Sequence, residues 1–336
     1  MRDLARLPKA HLHVHLESTI RRSTLHELAA ANGVPVPDPP SGGGATFDGF
    51  AAFADLGARV RACLGRPEDF TRIARELCQD EVAQGTRYAE VTFTAAAHGE
   101  RLGDLEMPLE AVLEGFAEGR ASSGLECRVL LDHSRRQPLE RAWRTLGLAR
   151  RYAEAGVVGL GLAGDEAYPL APFAPVLDAA RDVGLHLVHH AGESRGPDSI
   201  REALTLGHAE RLGHGIRILD GPDLVAEMRE RAVPLEVCPS SNVALGFAPS
   251  FRAHPLPRLR EAGLVVTLNT DIPAIIGTSL AEEYGRVREA FGYDELVLAD
   301  LARASIDASF APSALKARLR REVDEWLGGD PPPPSP

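Results

Sequence analysis

The feature that most restricts this chain is a recurrence. Short, almost continuously apolar segments return along its length, each followed by an Arg- and Glu-rich amphipathic stretch. Segments 10–16, 87–94, 125–132, 157–163, 185–190, 211–213, 233–238 and 264–270 read as strands. Near-continuous apolar runs mark strands covered on both faces, because neither face can be left to water. The sixth is short and is recognised mainly by its position. Between the strands, 69–84, 109–120, 140–155, 172–183 and 223–231 read as amphipathic helices. Strands alternating with helices build βα units and a parallel sheet. Eight such units in 336 residues predict an α/β fold, a closed (β/α)8 TIM barrel over residues 1–327 with extra helices near its mouth. Outside the pattern, 35–45 (PVPDPPSGGGA) reads as a surface loop and 47–64 as helical, a candidate lid. The Pro-rich segment 328–336 cannot join a helix or sheet interior and is expected to be a disordered tail.

Composition narrows the class. Lys and Arg number 37 against 48 Asp and Glu, a formal charge of −11, which disfavours polyanionic partners such as nucleic acid or a membrane surface. Cys63, Cys78, Cys127 and Cys238 form no CxxC pair, so neither a disulfide framework nor a thiolate zinc site is readable. No apolar run is long enough to cross a bilayer, and the first ten residues carry no apolar signal region. The expectation is a soluble cytoplasmic protein acting on a small molecule, with homo-oligomerisation left open.

The ends of the strands carry the chemistry. The first ends in His11-Leu12-His13-Val14-His15-Leu16-Glu17. Residues two apart on a strand face the same side, so His13 and His15 can both reach the barrel mouth, half of a metal site. The fifth strand runs into His189-His190-Ala191-Gly192-Glu193, the sixth into Gly213-His214-Gly215, and the eighth into Asn269-Thr270-Asp271-Ile272. Unrelated structural histidines have no reason to choose the same end of several strands. Imidazoles with a carboxylate and no thiolate suit Zn²⁺, with Fe²⁺ or Mn²⁺ also open. His13, His15, His190 and Asp271 are the expected ligands, leaving a position for a water that zinc would acidify to a pKa near 7. The fourth strand ends in Gly161-Leu162-Ala163-Gly164, with no Lys or Glu to bridge a second ion, so one zinc per chain is expected.

These pieces resemble the adenosine deaminase family of metal-dependent hydrolases, part of the amidohydrolase superfamily. The resemblance rests on LPKAHLHVHLE, Arg87-Tyr88-Ala89-Glu90-Val91, Leu162-Ala163-Gly164-Asp165-Glu166, His190-Ala191-Gly192-Glu193, Arg211-Leu212-Gly213-His214-Gly215 and Thr267-Leu268-Asn269-Thr270-Asp271. The stretch Pro234 to Asn242, with Gly277-Thr278-Ser279-Leu280, is more similar to bacterial adenine and aminodeoxyfutalosine deaminases. The resemblance implies hydrolytic deamination of adenosine or a related 6-aminopurine nucleoside, with adenine, aminodeoxyfutalosine or another amino-heterocycle as alternatives. It implies that Glu193 protonates the purine ring, that His214 orients the attacking hydroxide, and that Asp271 binds metal and the attacking water. The Gly164 amide would meet a ring nitrogen, and Glu17 stands where many members carry an aspartate that binds ribose hydroxyls. Ile272 replaces a second aspartate that contacts the ring, so the chemical groups are complete while the recognition groups are altered. His11, His186, His189, His208 and His254 read as structural or exposed, and Cys238 as a small buried hydrophobe. His98 is left open, and Asp165-Glu166 could hold a loop over the site or cap a helix. A non-catalytic barrel, or a lactonase or phosphotriesterase, are the competing readings.

Overall fold

The computed structural model describes residues 1–37, 47 and 49–328; most of the expected loop at 35–45 and the tail from 329 onward lie outside the described residues. Eight parallel strands follow one another in chain order: β1 (Lys9–His15), β2 (Thr86–Phe93), β3 (Glu126–Ser134), β4 (Val157–Ala163), β5 (His186–Ala191), β6 (Arg211–His214), β7 (Leu235–Val237) and β8 (Val266–Leu268). This is the expected (β/α)8 barrel. Nearly every strand residue is buried, the physical origin of the unbroken apolar runs. β7 and β8 are shorter than their runs. The Pro234 ring has no N–H, and its carbonyl instead accepts from Leu212 N–H at 3.0 Å.

The seam between the last and first strands is closed by other means. The ladder there is a single bridge, Val14 with Asp271, made by His15 N–H to the Asp271 carbonyl and Asp271 N–H to the His13 carbonyl, both at 3.0 Å. Beneath it, Asn269 Oδ1 accepts from the Leu12 and His13 N–H groups at 2.9 and 3.1 Å. The helix Glu295–Ala308 packs over β8 and β1 from outside, and its Ser305 hydroxyl accepts from Ala10 N–H at 3.2 Å. Buried backbone donors that lack a strand partner are satisfied by these side chains. The helix Gly49–Ala62, within the segment expected to be helical, brings Phe53, Gly57 and Arg61 to one wall of the barrel mouth. Among the described residues, no helix is long and apolar enough to cross a membrane.

Inside the barrel lies a fully buried arginine. Arg211 Nε donates to Glu236 Oε1 at 2.6 Å, a second nitrogen donates to Glu90, and the third reaches the Ala308 carbonyl at 3.0 Å. Its guanidinium carbon also stands 3.9 Å from the centre of the Phe310 ring. Removing one member of such a group strands the opposite charges in a medium of low polarisability. Arg211→Ala is therefore expected to lower unfolding stability by about 3–5 kcal/mol in urea titrations. Arg211→Lys should recover only part, because an ammonium cannot span two carboxylates as a planar fork does. Stability within error of wild type in the alanine variant would contradict the account.

Candidate active site

Four strand ends bring the candidate ligands together at the C-terminal rim, the end where barrels of this kind carry their chemistry. Ligand atoms of His13, His190, His214 and Asp271 all lie within 4.8 Å of one another. His15 joins them: its Nε2 is 3.3 Å from both His190 Nε2 and Asp271 Oδ1. His13 Nε2 stands 3.5 Å from the same oxygen and, although buried, has no hydrogen-bond partner. Atoms bound at 2.0–2.1 Å to one tetrahedral ion are about 3.3–3.4 Å apart, so the shortest of these separations are compatible with a shared ion. Two of the groups sit in left-handed backbone, Asp271 at φ 63° and His214 at φ 67°. That conformation is uncommon for residues with a Cβ and is found where the surroundings enforce it. Here the seam bridge enforces it at Asp271.

A second layer aims the imidazoles. His13 Nδ1–H donates to Glu236 Oε2 at 2.9 Å, which leaves a lone pair on Nε2 facing the cluster. A histidine ligand is commonly oriented by a carboxylate in this way. Burial opposes charge on His13, but the Asp271 and Glu236 carboxylates outweigh it and raise the imidazole to about 10. The position demands positive charge, and a metal ion competes with the proton for it. His190 is held well below its ordinary value by burial and the neighbouring His13. The same causes bring His214 to about 3. Both are therefore neutral bases able to bind metal. Ser241 Oγ donates to the other Asp271 oxygen at 2.6 Å. An unpartnered Nε2, tautomers fixed from behind and an oxygen–nitrogen donor set fit a divalent ion.

Glu193 stands beside this cluster and lines a cavity of about 390 Å³ together with His15, His190 and His214. Burial, reinforced by Asp271 and Glu166, pushes its carboxyl well above the ordinary range, which favours the protonated form. Asn242 Nδ2 donates to Glu193 Oε1 at 2.8 Å and to His214 Nδ1 at 3.2 Å, and Asn242 Oδ1 accepts from His254 Nε2–H at 3.1 Å. Glu166 settles the alternative left open at the Asp165-Glu166 pair: its carboxylate accepts from the backbone N–H of Gly192, Glu193 and Ser194 at 2.7–2.8 Å. It thus holds the turn that presents Glu193. Neither Glu236 nor Asn242 was singled out as a site-supporting residue by the strand-end pattern, because each acts through another residue.

The remaining expected positions divide. Gly164 lines the cavity at φ 89°, and a Cβ there would stand 2.9 Å from Ser134 Oγ, so only glycine keeps this turn close to the cavity. Glu17 lines it too, its Oε1 accepting from Thr94 N–H, Thr94 Oγ1 and His98 Nε2–H at 3.3, 2.9 and 3.1 Å. His98, left open before, is thus a buried anchor for Glu17. Ile272 requires a correction. It is 0% exposed and takes no part in the cavity wall, where Ile275 lies instead. Its side chain belongs to the hydrophobic core. His11, bonded to Glu81 and Thr270, and His189, bonded to Leu162 N–H and the Gly207 carbonyl, are structural, while His186 and His208 pair with Glu210 and Asp178 near the surface. Cys238 is a fully buried thiol.

The Glu236 carboxylate should therefore tune metal binding without touching the metal. Glu236→Gln is expected to weaken zinc affinity by about 10–100-fold, measured by competition with a chromogenic chelator on folded protein. Unchanged affinity would detach Glu236 from the site.

Comparison with known proteins agrees with this geometry. The sequence profile of the adenosine deaminase family matches residues 8–326. A Streptomyces coelicolor protein provisionally named an adenosine/adenine deaminase is 39% identical, the match covering 97% of this chain and 98% of the relative. Aminodeoxyfutalosine deaminase of the same bacterium is 37% identical over 96% of this chain and 85% of its own. The crystal structure of adenine deaminase from Arthrobacter aurescens superposes with a TM-score of 0.90 at 31% identity, covering 96% of this chain and 99% of that one. With a rim of histidines, an aspartate and a buried glutamic acid on an eight-stranded barrel, and a family match over almost its whole length, the chain belongs to the adenosine deaminase family.

Proposed function

We propose that this protein is a zinc-dependent hydrolytic deaminase that replaces the exocyclic amine of a 6-aminopurine by oxygen and releases ammonia. The observation that carries the reading is the position of Glu193: a buried carboxyl that lines the cavity and adjoins a cluster of metal-ligand side chains, its pKa pushed upward by that burial. His13, His15, His190 and Asp271 would hold the ion, with His214 at their side. Zinc is the choice for a site of imidazoles and carboxylate without thiolate. When bound it supplies the Lewis acidity that makes water a nucleophile near neutral pH.

The protein's own groups do the rest. With the amino-bearing carbon over the cluster, the Glu193 carboxyl donates its proton to the adjacent ring nitrogen, which draws electrons from the carbon under attack. Asp271 and His214 border the water's approach and accept its proton. That proton then passes to the amine, which leaves as ammonia, and as the carbon–oxygen double bond forms the remaining hydroxyl proton returns to the Glu193 carboxylate. Asn242 holds Glu193 and His214 in register through both addition and departure. The Gly164 N–H can meet a second ring nitrogen because no side chain intervenes. Adenosine-type nucleosides are the first reading for the substrate. Free adenine is the second, favoured by the superposition on the Arthrobacter enzyme. A cytoplasmic location is part of this reading, supported by four cysteines that are all free thiols.

Ammonia release by zinc-loaded protein across adenosine, adenine and aminodeoxyfutalosine tests the assignment. Chelation should abolish turnover, and one equivalent of zinc per chain should restore it. Glu193→Gln should retain its zinc yet turn over at least about 10²–10⁴-fold more slowly, the range for loss of a general acid. Full turnover without metal, or near-normal turnover in Glu193→Gln, would reject the mechanism.

A further inference from the structure

After β7, three consecutive residues of the short helix Pro239–Ala244 are each bonded to a different partner. Ser241 Oγ donates to Asp271 Oδ2 at 2.6 Å, and Asn242 Nδ2 donates to Glu193 Oε1 at 2.8 Å and to His214 Nδ1 at 3.2 Å. Ser240, just before them, is bonded to Glu283 in the helix Leu280–Phe291, which packs against β8. Its backbone N–H donates to Glu283 Oε1 at 2.7 Å, and its hydroxyl donates to Oε2. Arg286 donates to that hydroxyl at 2.8 Å, and Thr278 Oγ1 reaches Glu283 Oε2 at 3.5 Å. Glu283 is 0% exposed and belongs neither to the cavity wall nor to the candidate ion cluster. A carboxylate taken out of water is costly unless its hydrogen bonds are made, and here the two shortest both hold Ser240. A helix of six residues has too few hydrogen bonds of its own to fix its place, so these anchors decide where it lies.

We infer that Glu283 is a positioning residue: by holding Ser240 it sets Ser241 on Asp271 and Asn242 on Glu193 and His214. One buried carboxylate outside the cavity thereby aligns a candidate metal ligand and the proton donor together. Both alignments matter, because outer partners tune a ligand's hold on its ion and small displacements of a reacting group cost rate. For the part played through Glu193 in turnover, the inference rests on the proposed deaminase reading. The part played through Ser241 and Asp271 is independent of that reading.

Two double-mutant cycles on the full chain test this. In the first, zinc affinity is measured by competition with a chromogenic chelator. Ser241→Ala and Glu283→Ala should each weaken it about tenfold, and the double variant no more than about twofold beyond either, since both act through one bond to Asp271. In the second, kinetics are measured at saturating zinc on the aminopurine that wild type turns over fastest. Glu283→Ala should lower kcat about tenfold with KM held within about twofold, and should cost less than about twofold further in an Asn242→Ala background. Glu283→Gln keeps an acceptor oxygen for the Ser240 N–H and should recover most of both losses. Should Glu283→Ala not fold, Glu283→Asp, whose carboxylate falls one methylene short of Ser240, enters the same cycles with the same coupling expected. Wild-type zinc affinity and kcat in a folded variant, or losses that multiply in the double variants as they do for independent sites, would overturn the inference. If wild type releases ammonia from no aminopurine, the deaminase reading falls, and the zinc cycle alone decides the role of Glu283.

Discussion

Asp271 closes the barrel and the candidate site with the same residue. Its backbone N–H and carbonyl bond to His13 and His15 and form the single bridge between the last and first strands. Its carboxylate then meets the imidazoles of those two histidines. The strand that carries half the ligands is thereby fixed against the residue that carries the acid. A hydrogen-bonded seam sets positions to a few tenths of an ångström, the tolerance that a metal site requires. The positive φ at Asp271 follows from this arrangement: the chain must bond the seam and turn its carboxylate inward within one residue.

Around that seam, buried charge is balanced in a connected series. Glu236 receives His13 on one oxygen and Arg211 on the other, and Arg211 also neutralises Glu90. Each carboxylate would be costly alone in the barrel interior, and each is tolerable because its partners are fixed. The balance links the floor of the barrel to the candidate metal site, so a substitution two residues removed from the ion is expected to be felt by it. Glu166 plays a similar part on the other side, gathering three backbone N–H groups under the turn that presents Glu193. Glu166 is held by a ring of donors, whereas burial pushes the Glu193 carboxyl well above its ordinary range. Their different environments assign their different roles.

Much of this was legible in the residue order. Apolar runs with amphipathic stretches between them mark the barrel, because strands covered on both faces have no polar side to show. His13, His15, His190, His214 and Asp271 stand out because they recur at the same end of several strands. Glu193 follows from its place three residues beyond His190 in a recognisable family motif. Element ends were less legible: β7 and β8 stop short where Pro234 and the Asn269 side chain take over the bonding.

The sequence by itself determined the barrel, the rim on which the chemistry lies and the identity of the ligand-type residues, since these depend on periodicity and side-chain type. Only the tertiary structure decided which groups serve them. Glu236 and Asn242 act across strands far apart in the chain, and no local pattern distinguishes a supporting polar side chain from a solvated one. The structure also placed Ile272, fully buried, in the hydrophobic core rather than in the cavity wall. The backbone just before it is held by hydrogen bonds to a strand more than 250 residues away, a contact that no local pattern announces.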